Sequence, residues 1–404
     1  MNPWRAPYPK FGAGPGLARV SAIAAELGVS LQAFGARGCV VVGSNGKGST
    51  AAMTASLLAQ TGAGVGLFTS PHLFDLNERF RIDGEDISDD ALDTHWRRVA
   101  AAAERAGEAE NLGGFEFLFL IAADCFAARG CAYTVWEAGI GGRLDPVRLI
   151  EAKRLALTSL DLEHTALLGD TLEEIAREKL DAAPAGATVF VGESCAAQRE
   201  AIEAHCARRG VRCVFPPAEE LAPPLPGQFQ RQNTAFALKL ADDLAPLSAE
   251  QKAAGLAQTN WPGRLEVIEP EPLIVIDVGH TPAAVRAARA GFEVLRGGRS
   301  ALLVCGVSLD KPIGAIVEAL APGFGVVVCV AARHKGAPPA AVAAEVRRVN
   351  PGAEVVLAES VEEARHIALG RAGANAAYVA GSFFLAAEFK ALHVGRDPAT
   401  LAFF

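Results

Sequence analysis

The segment Gly43-Ser44-Asn45-Gly46-Lys47-Gly48-Ser49-Thr50 joins an apolar strand signal, Cys39-Val40-Val41-Val42, to a helical pattern from Ala51 to Leu58. Glycines in such a turn let backbone N–H groups close on an anion, and the helix start adds the positive end of its dipole. Lys47 supplies a point charge for a transferred phosphoryl group. The spacing is not the usual phosphate-loop pattern. Val41 stands where that pattern has its first glycine, and Gly48 where it has the Ser or Thr after the lysine, leaving a shorter G-x-x-G-K-G-S form.

Further polar residues follow other strand signals. After Val65–Phe68 come Thr69-Ser70-Pro71-His72-Leu73 and Asn77-Glu78-Arg79-Phe80. After Tyr133–Trp136 comes Glu137-Ala138-Gly139-Ile140-Gly141-Gly142-Arg143-Leu144-Asp145. After Leu155–Thr158 come Asp161-Leu162-Glu163-His164, Leu168-Gly169-Asp170-Thr171 and a helix ending Arg177-Glu178-Lys179. Hydroxyl, carboxylate, imidazole and ammonium groups at strand ends are the equipment of an ATP and metal site.

The elements that must position these groups alternate. Strand signals at Cys39–Val42, Val65–Phe68, Tyr133–Glu137, Leu155–Thr158 and Thr188–Val191 are separated by helical patterns, notably Ala91–Ala106, Phe115–Ala128, Leu172–Lys179, Ala196–Arg208 and Gln232–Leu244. The proline-rich stretch Pro216–Gln230 reads as a surface loop. A second series has strands at Leu273–Asp277, Ala301–Cys305, Val326–Val330, Glu354–Leu357 and Ala377–Ala380, with helices such as Ala283–Leu295 and Pro339–Arg348. The pattern breaks at Asn260-Trp261-Pro262-Gly263. An α/β fold follows: an N-terminal P-loop nucleotide-binding domain with a mainly parallel sheet, residues 1–261, and a smaller Rossmann-like α/β domain, residues 262–404.

Composition limits the partners. Of 404 residues half are apolar and 21% charged, which excludes disorder, and the net charge of −8 argues against a nucleic-acid or anionic-membrane surface. No basic-plus-apolar start and no membrane-length apolar run is present, so a cytoplasmic location is expected. The eight cysteines form no C-x-x-C pair and read as small buried hydrophobes, needing neither disulfides nor zinc.

Taken together, these segments resemble the dihydrofolate synthase/folylpolyglutamate synthase family of Mur-type ATP-dependent amide ligases. The family shows G-T-N-G-K-G-S-T, T-S-P-H-L, N-E-R, E-x-G-x-G-G-R-x-D, D-H-x-x-x-L-G, L-x-x-I-A-x-E-K, W-P-G-R, D-G-A-H-N and G-S-L-Y in this order. A version of each lies between about Arg19 and Lys390. The resemblance implies a ligase joining L-glutamate to a pteroate or folate carboxylate through an acyl phosphate, with ATP and two Mg²⁺ ions, acting as a monomer. It implies Lys47 at the phosphates within the loop Gly43, Ser44, Asn45, Gly46, Gly48, Ser49 and Thr50, and Ser70, Glu137 and His164 as metal ligands. Lys179 is carbamylated in the family, where the anion binds a second metal.

The resemblance extends to the substrate contacts. Asn233, in Gln230-Arg231-Gln232-Asn233, falls where the family contacts the nucleoside, with Phe229 in place of a histidine. Arg264 and Asp277 fall at nucleotide contacts, His280 and Ser382 near the incoming amino acid, Asp310-Lys311 on a D-K pair, and Arg79 and Phe115 on the side of the acid substrate. Departures bear on substrate more than on reaction: Pro146-Val147-Arg148 for Ala-Thr-Asn, Glu163 for Asp, Leu180-Asp181 for Ala-Gly and Thr281 for Asn. Two other readings stay open, a Mur-type ligase for a non-folate acid and a nucleotide-binding protein without ligase chemistry.

Overall fold

The computed structural model describes residues 12–217, 222–373 and 375–403. The chain divides into two compact units, residues up to Pro224 with Gln230–Asn260, and Leu225–Phe229 with Trp261–Phe403. The sequence reading kept Leu225–Phe229 with the first domain. Phe229 instead packs on the core of the second unit, and Gly227 abuts the helix glycine Gly291.

The first unit holds β1 (Gly38–Val42), β2 (Val65–Phe68), β3 (Phe80–Ile82), β4 (Glu85–Asp86), β5 (Tyr133–Glu137), β6 (Arg154–Leu157), β7 (Thr188–Val191) and β8 (Arg212–Val214). They make one sheet in the order β4-β3-β2-β5-β1-β6-β7-β8. Pairing is parallel from β2 to β8, and β3 and β4 add antiparallel at one edge.

Strand β1 is buried along its whole length because both sheet faces are covered, as its unbroken apolar sequence requires. Side chains alternate along it. Cys39 and Val41 pack with Met53, Leu57, Phe236 and Leu240, while Val40 and Val42 pack with Phe117, Leu120 and Ile121 on the other face. Val41 pairs with Glu137 and Val42 with Leu157, so β1, β5 and β6 end together. Ligands of open α/β sheets lie beyond such strand ends.

The second unit holds β9 (Glu266–Pro270), β10 (Leu273–Ile276), β11 (Ala301–Cys305), β12 (Val326–Cys329), β13 (Glu354–Leu357) and β14 (Ala376–Ala380), in the order β13-β12-β11-β14-β10-β9. Only β9 runs antiparallel to its neighbour. Its core centres on Tyr378, whose ring stacks on Phe292 with centroids 4.3 Å apart.

Several elements differ from their sequence signals. Strands β3, β4, β8 and β9 lack strong apolar runs because they are short or lie at sheet edges with exposed side chains. The helix expected from Ala51 runs Lys47–Ala59, so the second half of the glycine loop is already its first turn. The helix expected from Ala196 begins as 3₁₀ over Glu193–Gln198 and becomes α only at Arg199–Arg208. The expected surface loop ends in buried positions: Leu225 is buried, and Gln230 is the fully buried first residue of helix Gln230–Leu244. Residues 218–221 of that loop lie outside the described residues. Among the described residues no helix is long and apolar enough to cross a membrane.

Candidate active site

The phosphate loop leaves β1 at Gly43, whose φ of 141° and tight surroundings demand glycine. A Cβ there would lie 2.0 Å from Thr158 Oγ1 and 3.1 Å from Ser159 N. The two residues after β6 clasp the loop. Thr158 Oγ1 donates to Asn45 O at 2.6 Å, Asn45 N–H donates to Ser159 Oγ at 2.8 Å, and Ser44 N–H donates to Ser159 O at 2.9 Å. Ser44 Oγ in turn accepts from Asp161 N–H at 3.0 Å. Asn233 closes the far side. It is buried, donates to Gln230 Oε1 at 2.9 Å, and would meet a Cβ at Gly46 at 2.6 Å.

Two lysines converge on this loop. Lys47 Nζ lies 2.9 Å from Gly43 O and 3.3 Å from Ser44 O. Lys179 Nζ lies 3.1 Å from the same Gly43 O and 3.0 Å from Glu163 Oε1, and the residue is only 2% exposed. Its place one residue before the end of helix Leu172–Leu180 is set by a capping box between Thr171 and Glu174. Gly142 lets the loop after β5 approach that helix, since a Cβ there would lie 2.4 Å from Lys179 O. Burial lowers the pKa of Lys179; the Glu163 carboxylate pulls the other way and the Lys47 charge adds to the lowering. Burial disfavours the charged form of Glu163, but the Lys179 and Lys47 ammonium groups overcome it and hold its pKa down to about 2.

Glu137 ends β5 and is buried, and Ser70 N–H donates to its Oε2 at 3.0 Å. His164 sits on the loop after β6 in the left-handed region, φ 47°, exposed at the start of the short helix Thr165–Leu168. No group of three or more His, Cys, Asp and Glu that could hold a metal is present among the described residues. Mg²⁺ takes few protein oxygens and keeps waters, and the Ser70 hydroxyl and the Glu137 carboxylate carry oxygens of the type it takes. Asp161 Oδ2 and Thr50 Oγ1, both on segments of the phosphate cradle, are buried with no hydrogen-bond partner among the described residues.

Arg79, expected on the side of the acid substrate, is buried and donates from Nε to His72 Nδ1 at 2.9 Å. Burial lowers its pKa to about 10, against the pull of Glu137 and Glu78. The Phe115 ring lies 5.7 Å from that of Phe68, and Gly139 is glycine because a Cβ would meet the Phe115 ring at 2.8 Å.

Asp145, which carried no assigned role in the sequence reading, organises the loop after β5. It accepts from Gly139 N–H and Ile140 N–H through Oδ2 and from Val147 N–H through Oδ1, and burial raises its pKa to about 6. Thr158 and Ser159 were also missed; their signal was a hydroxyl pair directly after a strand.

In the second unit the expected residues gather at the ends of β10, β11 and β14. Asp277 is buried, with Oδ2 accepting from Leu265 N–H at 3.0 Å and Oδ1 from Gly279 N–H at 2.8 Å. Its carboxylate therefore shapes the Arg264 and His280 loops of its own unit. Arg264 is half-buried and its charge opposes the burial that raises the Asp277 pKa. His280 Nδ1 lies 3.1 Å from Val278 O. Ser382 Oγ lies 3.1 Å from Ser308 Oγ, a partner that sequence reading did not name. Asp310 and Lys311 form a loose ion pair at 3.8 Å.

The Mur ligase glutamate ligase domain matches residues 263–383. A probable bifunctional folylpolyglutamate synthase/dihydropteroate synthase of Haloferax volcanii is 35% identical over 86% of this chain and 45% of its own. A similar protein of Halobacterium salinarum is matched over 49% of its length, so the chain spans about half the length of these relatives. The folylpolyglutamate synthase of Lacticaseibacillus casei is 30% identical over 88% of this chain and 89% of that one. Among solved structures, Mycobacterium tuberculosis folylpolyglutamate synthase complexed with ADP superposes with a TM-score of 0.87 at 26% identity, covering 96% of each chain. The bifunctional folylpolyglutamate synthase/dihydrofolate synthase of Yersinia pestis, complexed with AMPPNP and a Mn ion, gives 0.80 at 27% identity, covering 95% of this chain and 94% of that one. With a relative matched over nearly its whole length and the phosphate loop, strand-end carboxylate and buried lysine arranged as described, this chain belongs to the dihydrofolate synthase/folylpolyglutamate synthase family.

Proposed function

We propose that the chain is an ATP-dependent ligase that joins L-glutamate to the carboxylate of a pteroate or folate. One observation carries the reading: the Lys47 ammonium and the buried Lys179 side chain meet at the Gly43 carbonyl of a glycine loop that opens a helix. Phosphoryl transfer is mostly positioning and charge neutralisation, and Lys47 supplies positive charge at this loop. A substrate carboxylate oxygen attacks the γ-phosphorus and ADP leaves. The glutamate amine then attacks the acyl carbon of the acyl phosphate, phosphate departs, and the amine gives up a proton.

Mg²⁺, with Ser70, Glu137 and His164 as its proposed ligands, supplies neutralisation of the phosphate oxygens. Lys179 is proposed to carry a carbamate and to serve a second ion. Its neutral amine adds to CO₂ and loses a proton, exchanging a cation for an anion, and burial is what favours the neutral amine. Asn233, Arg264 and Asp277 are proposed to serve the nucleotide, Asp277 by holding the Arg264 loop. His280 and Ser382 are proposed to serve the amino acid, and Arg79 and Phe115 the acid.

The test is a matrix of acids and amino acids, scored for ADP formation with mass detection of product. Pteroates, folates and non-folate carboxylic acids are each paired with L-glutamate and with other amino acids. ADP should form only when a pteroate or folate and L-glutamate are both present, with a product one glutamyl residue heavier. Turnover with non-folate acids alone would replace the substrate and keep the ligase; no acid-dependent ADP formation would remove the ligase. Glu137→Ala should abolish Mg²⁺-dependent turnover while keeping the native circular dichroism, and an unfolded variant would make Glu137 structural.

A further inference from the structure

The Leu180-Asp181 departure after Lys179 gains a partner in the fold. Asp181 Oδ1 lies 2.8 Å from His205 Nε2 and 2.8 Å from an Arg209 guanidinium nitrogen, so it fastens the Lys179 helix to helix Arg199–Arg208 and the turn that follows. Cys206 lies in the last turn of that second helix, and Cys213 lies in the middle of β8, the edge strand to which the turn leads. Val211 N–H donates to Cys206 O at 2.9 Å, which folds the strand back on the helix. Both side chains enter the same apolar cluster, Cys206 buried and Cys213 half-buried, with the Cys213 thiol directed at the Cys206 sulfur. At the other end of the helix the Arg199 guanidinium lies 3.9 Å over the Phe215 ring, so helix and strand are held at both ends.

We propose that Cys206 and Cys213 are a reversible dithiol–disulfide pair whose closure stiffens, through Asp181, the helix that carries Lys179. The sequence contains no C-x-x-C, and only the helix–turn–strand return brings these two thiols together. The half-buried Cys213 sulfur attacks one sulfur of a low-molecular-weight disulfide, and its proton leaves with the first thiol released. The Cys206 sulfur then attacks the Cys213 sulfur of the mixed disulfide, and its proton leaves with the second. Two protein thiols are oxidised and one external disulfide is reduced to two thiols. The hydrogen bond to Cys206, and then burial, raise the Cys213 pKa, so the first attack is the slow one. Once Cys213 is in the mixed disulfide, the resolving Cys206 thiolate is disfavoured by burial and favoured by the Arg209 charge. The proposal does not depend on which acid the ligase uses.

The test uses the whole protein and no substrate. The reduced protein is incubated with oxidised glutathione, alkylated after unfolding, and digested with trypsin, which cuts at Arg208, Arg209 and Arg212 between the two cysteines. The expected result is a joined peptide pair containing Cys206 and Cys213, two fewer alkylated thiols than the eight of the reduced chain, and no joined pair in Cys213→Ser. Hydrogen exchange of amides in Leu172–Leu180 should be several-fold slower in the oxidised protein, and Asp181→Asn should keep the joined peptides while losing that protection. A glutathione adduct that stays on Cys213, or a closed disulfide with unchanged exchange in the Lys179 helix, would overturn the proposal.

Discussion

At the scale of single residues, charge and hydrogen bonding converge on Gly43 and Asn45. The Gly43 carbonyl is shared by Lys47 and Lys179, and the Asn45 carbonyl is held by Thr158 and Ser159. Lys47→Ala removes the proposed electrostatic contact to the transferred group, so turnover should fall on the order of a hundredfold or more. Steady-state ADP formation checks this, and near-normal turnover would end the phosphate-loop assignment. Thr158→Val keeps the shape of the side chain but removes the 2.6 Å bond to Asn45 O. Loss of that bond should weaken the loop by about 1 kcal/mol, read as a several-fold rise in KM for ATP with a smaller change in kcat. An unchanged KM would show that the loop holds its form without Thr158.

At the scale of elements, the first turn of helix Lys47–Ala59 and the last turn of helix Leu172–Leu180 are brought to one loop by the common ends of β1, β5 and β6. The second helix depends on its start. Thr171 Oγ1 accepts from Glu174 N–H at 3.2 Å, and Glu174 Oε2 accepts from Thr171 N–H at 3.1 Å. Thr171→Ala should therefore lower stability by about 1 kcal/mol, measured as a shift of the urea midpoint at constant slope. If the midpoint stays in place, tertiary contacts alone hold that helix.

At the scale of the molecule, each unit has its own core, and in the first a charge cluster joins buried His95 and Asp124 to the exposed Arg98. His95 Nδ1 lies 2.7 Å from Asp124 Oδ2, and the Arg98 guanidinium bonds both Asp124 oxygens at 2.9 and 3.0 Å. The hydrogen bond to Asp124, with a smaller one to Cys125 and against burial, raises the His95 pKa to about 9. A raised folded-state value means stability that is fully present below the unfolded pKa of roughly 6.5 and lost as pH rises through about 9. Asp124 acts in the opposite sense. Burial raises its pKa, but His95 and Arg98 outweigh burial and lower it, so its stabilisation is lost as pH falls through the acid range. Melting of the first unit should thus drop between neutral pH and pH about 9 in the native protein, whereas His95→Gln should flatten that slope. A slope that survives the substitution would assign it to other groups.

The sequence by itself determined the phosphate loop, the residues at strand ends and the alternation of strand and helix. Each is a local property: Gly43 and Gly46 are needed where they stand, and continuous apolar runs such as Cys39–Val42 are legible because both faces of a parallel strand are buried. Glu137 stood out as a polar group at the end of an apolar strand and Lys179 as a lysine at a helix end, but the role expected of each came from the family resemblance. Tertiary structure alone decided which groups meet. The shared carbonyl of Gly43, the clasp of Thr158 and Ser159, the closure of the β5 loop by Asp145, the pairing of Ser308 with Ser382 and the nearness of Cys206 to Cys213 all join residues whose contact is set by strand order and chain return. So, too, did it move Leu225–Phe229 into the second unit, because the apolar surface that Phe229 covers is assembled from β-strands and helices more than thirty residues further along the chain. Residue type and spacing specify chemistry, whereas distance between side chains is a consequence of burial and topology.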